Sequence, residues 1–287
     1  MLFDRTLRQA LHNHVIIVLL FICFLADCTL YPWMLYFYQN RDRWDRSMIF
    51  CTIWGFLDWG LYVLHTMLFA WATVERHILI FHDRWISTRK SRLILHYFPL
   101  LFFPFYLFLF YFCVYFFPPC ENYSDPSSPV CMWPCLYDSY ALSMYDYVME
   151  QILPTFTIVF CSISLLVRVL WQRVRMRQTI HWKKHRKMAI QVLSISCVYL
   201  LLLLPYAIIY ILRYCVGLSY PLLIEFSTST VFTSYFIILL FPFVSVISLP
   251  ELQTRMRNLL HLRPARHIQP GMTISVRTHP TGNDRRT

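Results

Sequence analysis

The chain has 287 residues, of which 57% are hydrophobic and 14% are charged, and its mean hydropathy is +0.47. Soluble globular domains carry roughly 25% charged residues, so this chain has too few polar side chains to cover a core that faces water. The composition therefore excludes an ordinary soluble fold and predicts a membrane protein. The net charge of +11 lies mainly between the hydrophobic runs, which indicates membrane topology rather than nucleic-acid binding.

Six hydrophobic segments are long enough to cross a bilayer as helices, which takes about 20 apolar residues each. The sequence therefore predicts an all-α fold, a transmembrane helix bundle. The predicted spans are 15–38, 52–80, 93–117, 143–170, 188–212 and 221–248, within a transmembrane domain at 15–249. Asp27, Asp58 and Glu150 interrupt three of them. One acidic residue at mid-helix costs about 3 kcal/mol on insertion scales, which the long apolar neighbours offset.

The lysine and arginine side chains gather on one side of the predicted membrane. Of the 26 such residues, 22 lie in the two terminal segments, at Arg76 or in alternate connections, and four lie in the other connections. Because cytoplasmic loops carry the excess of positive residues, both termini are predicted to lie in the cytoplasm. The loops 39–51, 118–142 and 213–220 are then predicted to lie outside.

The predicted outer loop 118–142 has two features that fit an extracellular position. It contains the sequon that begins at Asn122, a predicted glycosylation site. It also contains three cysteines in a polar stretch, Cys120, Cys131 and Cys135. Disulfides form in oxidising compartments, so these cysteines are expected to pair, and the sequence leaves their pairing open.

Three segments are predicted to lie outside the transmembrane domain. Residues 1–14 are polar and basic, with no cleavable apolar region. Residues 250–262 have leucine and methionine at helical spacing between arginines, which predicts a short amphipathic helix on the inner membrane surface. The alternative is an extension of the last span. Residues 263–287 have no periodicity and are predicted to be a disordered cytoplasmic tail.

The second segment ends with Glu75-Arg76-His77, and Cys51 lies 25 residues before Arg76. This arrangement resembles the third span of rhodopsin-like G-protein-coupled receptors. In that family an outer cysteine bonds to the second extracellular loop, and an acidic residue, an arginine and an aromatic residue end the helix inside. The resemblance implies that Cys51 bonds to one of the three loop cysteines.

Three prolines follow in the order that the family has. Pro154, Pro205 and Pro242 lie in the fourth, fifth and sixth segments, where the family's last three spans are kinked. The resemblance covers about 10–262 and makes the first segment similar to the family's second span, with residues 1–14 resembling the first intracellular loop. It implies a receptor without its first span, either from a truncated product or incomplete gene model or as a genuine six-span form.

Several positions depart from the family pattern. Cys23 stands where the family buries an acidic residue in its second span, with Asp27 one turn outward, so a sodium site is in doubt. Leu203-Leu204-Pro205 and Phe241-Pro242-Phe243 replace the usual motifs of the last two spans. The base of the fifth segment has basic residues where some members have an acidic partner for the motif arginine, which leaves Glu75 as the expected local partner of Arg76.

The resemblance implies a multi-pass receptor of the plasma membrane that transmits an extracellular signal to a heterotrimeric G protein. Glu75, Arg76 and His77 would form the activation switch at the G-protein face. The expected ligand is a peptide or a small chemosensory or amine-like molecule. Membrane lipid is the other expected partner, and nucleic acid is not.

Two acidic residues inside the predicted bundle are candidate ligand contacts. A carboxylate that faces a cavity would attract a ligand ammonium or guanidinium group, and Asp58 is the first candidate, with Glu150 second. The alternative for Asp58 is a structural pair with a neighbour such as Tyr62 or His65.

Other classes of membrane protein fit the sequence less well. A six-span channel or transporter is the alternative function, but the sequence has neither a regular arginine helix, nor a filter loop, nor internal repeats. An enzyme is not expected, because the spans lack a nucleophile or metal set. No cofactor or metal is predicted, since the pair His181 and His185 lies among lysines and arginines.

Overall fold

The computed structural model describes residues 11–40, 46–81, 88–124, 130–175, 180–212, 216 and 221–248. The predicted amphipathic helix at 250–262, the predicted tail at 263–287 and most of the segment 1–14 lie outside the described residues. The described part contains six long helices, one for each predicted hydrophobic segment.

The long helices are α1 (Leu11–Gln39), α2 (Met48–Phe81), α3 (Arg89–Phe116), α4 (Tyr140–Arg175), α5 (Ile180–Tyr210) and α6 (Pro221–Ser248). By length and composition, α1 to α5 are able to cross a membrane. In α6 the apolar stretch found among the described residues is shorter, Phe232–Ile247. The predicted all-α bundle of a multi-pass membrane protein is therefore confirmed. The sixth crossing and the receptor fold remain predictions.

Helix α2 lies at the centre of the bundle and packs against each of the other five long helices. Around it, α1 contacts α6, α6 contacts α5, and α5 contacts α4. Side chains of α3 reach both α1 and α4, through His96 and Tyr111 respectively. The centre of the bundle is aromatic, with Phe69 of α2 stacked on Tyr199 of α5 at 3.9 Å between ring centroids. A polar residue of α2 is therefore surrounded by protein, whereas one on the outer face of α3 would meet lipid.

Helices α3 and α4 each contain a π-helical stretch that ends two residues before a proline. In α3 the stretch is Leu93–Tyr97 and is followed by Pro99, and in α4 it is Asp146–Ile152 and is followed by Pro154. Proline has no amide hydrogen, and its ring clashes with the carbonyl four residues earlier. A locally widened turn relieves that clash, and such turns are frequent at functional sites. Both stretches contain buried ionisable side chains.

A short β-hairpin covers one end of the bundle, which is the end predicted to lie outside the cell and is called the outer end below. Strands β1 (Tyr123–Ser124) and β2 (Met132–Trp133) pair antiparallel, with Tyr123 opposite Trp133, and a 3₁₀ turn follows at Cys135–Asp138. One disulfide joins the hairpin to α2, from Cys51 to Cys131, and a second joins Cys120 to Cys135. The sequence leaves the pairing of the loop cysteines open, and in the structure Cys131 bonds to Cys51 while Cys120 bonds to Cys135.

Close packing between α2 and α3 at Gly55 gives a test of this arrangement. A Cβ atom at Gly55 would lie 2.5 Å from a ring carbon of the buried Tyr115, whereas one at Gly60 would have no neighbour nearer than 3.9 Å. We expect Gly55→Ala to lower the unfolding temperature of the purified protein in detergent, because overpacking costs about 1–3 kcal/mol. The matched variant Gly60→Ala should leave that temperature unchanged or raise it, since alanine favours helix by about 1 kcal/mol. Equal temperatures for the two variants would contradict the close contact.

Candidate functional site

A cavity of about 390 Å³ lies at the outer end of the bundle beneath the β-hairpin. Its walls come from α1, α2, α3, α4, α5 and α6, and its cover from the hairpin and the 3₁₀ turn. Aromatic side chains dominate the lining, and two lining residues are acidic, Asp58 and Asp146. The full lining is Met34, Tyr38, Asp58, Trp59, Tyr115, Val130, Met132, Trp133, Pro134, Tyr137, Asp146, Tyr147, Tyr206, Phe232 and Tyr235. This is the size and composition of a small-molecule pocket with a few oriented polar groups.

Asp58 lies on the cavity wall formed by α2, and its side chain is 3% exposed. The Tyr235 hydroxyl of α6 donates to Oδ2 at 2.6 Å. The other carboxylate oxygen, Oδ1, is buried without a hydrogen-bond partner among the described residues. The alternative partners expected from the sequence do not fill this position, since the hydrogen-bond partners of His65 are Cys23 and Tyr199. One acceptor of Asp58 is therefore left for a ligand.

Asp146 is the second acidic residue of the cavity, and it is absent from the residues singled out from the sequence. Three donors converge on its carboxylate: Trp59 Nε1 at 3.3 Å, the Tyr111 hydroxyl at 2.9 Å and the Tyr137 hydroxyl at 3.4 Å. Tyr137 belongs to the loop outside the helices, and burial raises the pKa of its hydroxyl far above the usual value, so it keeps its proton and donates. Asp146 lies one helical turn before Glu150 in the sequence, and this spacing is the sequence feature that places the two acidic side chains near each other.

Glu150, the second predicted ligand contact, lies behind the cavity rather than on its wall. It is fully buried, and its carboxyl group contacts the hydroxyls of Tyr106, at 3.1 Å, and Tyr111. Tyr111 therefore bridges Glu150 and Asp146. The structure places Glu150 in a supporting position and Asp146 in the position expected of a ligand contact.

The carboxyl groups of this region have no positively charged partner in the described part of the chain. The cavity lining contains neither lysine nor arginine. The salt bridge found among the described residues, between His96 and Glu75, lies at the other end of α2. In their ionised form, these carboxyl groups would make the interior of the cavity electrostatically negative. The arrangement favours positively charged ligands and disfavours anionic ones.

The inner end of α2 carries the predicted switch residues, and two of them are deeply buried. Glu75 is 2% exposed and Arg76 is 3% exposed. His96 of α3 donates from Nδ1 to Glu75 Oε1 at 2.6 Å, and its Nε2 lies 3.0 Å from Nδ1 of His14 in α1. The ion pair that Glu75 forms among the described residues is therefore with His96 of α3 rather than with its expected neighbour Arg76. His77 lies against α4, with its Nε2 atom 3.1 Å from the Ser164 hydroxyl.

The middle of the bundle has a cluster of polar side chains formed by Cys23, His65 and Tyr199. Cys23 Sγ of α1 lies 3.3 Å from His65 Nε2 of α2, and His65 Nδ1 lies 2.7 Å from the Tyr199 hydroxyl of α5. All three side chains are buried. This cluster connects three helices between the outer cavity and the inner switch.

The remaining predicted positions lie within ordered elements. Pro154, Pro205 and Pro242 lie within α4, α5 and α6. The Asn122 amide donates to the Tyr115 carbonyl at 3.3 Å, and its Oδ1 accepts from the Cys135 amide at 3.1 Å. Asn122 therefore orients the outer loop, and its glycosylation remains a prediction.

The His96–Glu75 pair gives a prediction for stability. Replacing His96 by leucine leaves a buried carboxylate without its partner, and we expect a loss of about 3–5 kcal/mol in the free energy of unfolding. The double variant His96→Leu with Glu75→Gln should recover part of the loss, because it removes the charge as well. Unfolding of the variants in one detergent measures both effects. A double variant no more stable than His96→Leu alone would count against the pair.

No protein-family model matches the chain, and a search of curated proteins found no match. The geometry therefore carries the functional argument. It consists of a cavity with two acidic lining residues beneath a disulfide-linked hairpin, a buried Glu75–His96 pair next to Arg76 at the other end, and one central helix that holds residues of both.

Proposed function

We propose that this protein is a rhodopsin-like G-protein-coupled receptor that senses an extracellular ligand with a positively charged group. The single observation that carries the proposal is Asp58, a buried carboxylate on a cavity wall with one oxygen that lacks a hydrogen-bond partner. Burying a charge without a counter-charge is unfavourable, and a ligand ammonium or guanidinium in contact with Oδ1 relieves this. The tyrosine and tryptophan rings around it add cation–π attraction.

The position of the two sites on one helix supports signal transmission. Asp58 and Arg76 are 18 residues apart on α2, which is about 27 Å along an α-helix. A ligand that binds one arrangement of the bundle more tightly shifts the population towards it, and a G protein that prefers the same arrangement at the inner face is coupled to the ligand by linkage. Arg76 is the group that would exchange partners there, because guanidinium is permanently charged and has several donors.

The link between α2 and α6 is the contact through which a ligand would act. The Tyr235 hydroxyl of α6 is bonded to Asp58, and the Tyr31 hydroxyl of α1 donates to the Tyr235 carbonyl at 2.6 Å. A cation on Asp58 Oδ1 would share with Tyr235, which is bonded to Oδ2, the carboxylate that joins the two helices. Ligand binding at this position therefore changes a bond between two helices, which is the differential contact that a population shift requires.

A sidedness experiment tests the topology on which the receptor proposal depends. We expect an epitope tag inserted between residues 176 and 179 to be recognised by antibody only after cells are permeabilised. A tag inserted between residues 125 and 129 should be recognised on intact cells, because that loop is predicted to lie outside. Labelling of the first tag on intact cells would reverse the topology and remove the G-protein face.

A signalling experiment tests the two proposed sites separately. In cells with a G-protein activation readout and a panel of amine and basic-peptide ligands, we expect Asp58→Asn to weaken the response at least tenfold, which corresponds to about 1.4 kcal/mol. Asp27→Asn is the matched control, since Asp27 lies in α1 away from the cavity lining. Arg76→Ala should abolish activation while ligand binding persists, and Arg92→Ala, an exposed arginine at the start of α3, should not. Full activation by Arg76→Ala at normal surface expression would contradict the switch.

A further inference from the structure

The outer cavity has acidic groups on two different helices. Asp58 belongs to α2 and Asp146 to the π-helical stretch of α4, and both line the same cavity. Trp59 lies next to Asp58 in the chain and donates its indole N–H to Asp146 Oδ2 at 3.3 Å. The two acidic groups therefore lie on different helices of one cavity whose lining is mainly aromatic.

The hydrogen bonds around Tyr111 indicate which carboxyl group of α4 carries the negative charge. The Tyr111 hydroxyl contacts both Asp146 Oδ1, at 2.9 Å, and Glu150 Oε2, but it has one proton to donate. If it donates to Asp146, the contact with Glu150 requires a protonated Glu150 that donates to the phenol oxygen. Asp146 has two further donors, Trp59 and Tyr137, and hydrogen bonds to the charged form favour it. The proton therefore belongs to Glu150 and the charge to Asp146.

We propose that the ligand is a dication, a molecule with two ammonium or guanidinium groups separated by an apolar linker. This inference rests on the proposed function for the identity of the site. One cationic group binds Asp58 Oδ1, and the other binds Asp146, while the linker lies along the aromatic surface between them. A monocation leaves one buried carboxylate without a counter-charge, so the cavity distinguishes the two classes by charge as well as by length.

A binding experiment on the purified protein tests the inference without relying on G-protein coupling. The probes are unbranched α,ω-diaminoalkanes of increasing length and the monoamines of the same carbon number, and the readout is the equilibrium dissociation constant in lipid nanodiscs. We expect one diamine length to bind at least about tenfold more tightly than its matched monoamine, because the second buried charge pair adds to the first. Diamines and monoamines of equal affinity at every length would overturn the inference.

Isosteric variants assign the second cation to its partner. We expect Asp146→Asn to bring the affinity for the best diamine down to that for the monoamine, with monoamine affinity preserved. Asp58→Asn should weaken both ligands. Glu150→Gln is the matched control, since it removes a carboxyl group that the inference treats as neutral, and it should retain the preference for the diamine. A preference lost in Glu150→Gln and kept in Asp146→Asn would overturn the assignment.

The outcomes separate this inference from the proposed function. Diamine-selective binding to the purified protein without G-protein activation in cells would refute the receptor and support the dication site. Activation by monoamines with no preference for diamines would support the receptor and refute the dication site. The diamine-to-monoamine ratio of the unchanged protein tests the inference even if Asp146→Asn fails to fold.

Discussion

A carboxylate inside a lipid-facing helix bundle needs hydrogen-bond donors or a counter-charge, because no bulk water is present to solvate it. Among the described residues, four acidic side chains are buried in this bundle: Asp58, Glu75, Asp146 and Glu150. Each is bonded to a side chain of another helix, so the same bonds that satisfy the carboxylates also connect the helices. Tyr235 links α6 to α2, His96 links α3 to α2, and Tyr111 links α3 to α4.

The partners of these carboxylates depend on local backbone geometry that two prolines bring about. Pro99 and Pro154 each follow a π-helical stretch, and the stretches contain His96 in one case and Asp146 and Glu150 in the other. A wider turn rotates the residues that precede it relative to a regular α-helix. In α4 this allows Asp146 to reach the cavity while Glu150 stays behind Tyr111, although the two residues are one turn apart.

The sequence predicts the positions of the long helices and the involvement of the three loop cysteines in disulfides, because both depend on local patterns. Hydrophobic length defines α1 to α5 without knowledge of any neighbour, and the lysine and arginine distribution requires only chain order. The role of Asp146 required knowledge of Trp59 and Tyr111, which are 87 and 35 residues away in the chain. Likewise, Tyr62 and His65 are the alternative partners that the sequence offers for Asp58 because they lie close in sequence, but the observed partner, Tyr235, is 177 residues distant. Periodicity along one helix contains no information about which residue of another helix it faces.

The two ends of α2 differ in how many hydrogen-bond partners their acidic side chains have. At the inner end Glu75 is paired with His96 at 2.6 Å, so the arrangement is held without any added molecule. At the other end, Asp58 keeps one acceptor without a partner among the described residues, so the bundle is less stable there than it would be with a cation bound. Any ligand that binds the folded state alone stabilises it by an amount set by its concentration and affinity. Because Tyr235 of α6 is bonded to the Asp58 carboxylate, a cation bound there would stabilise the contact between α2 and α6.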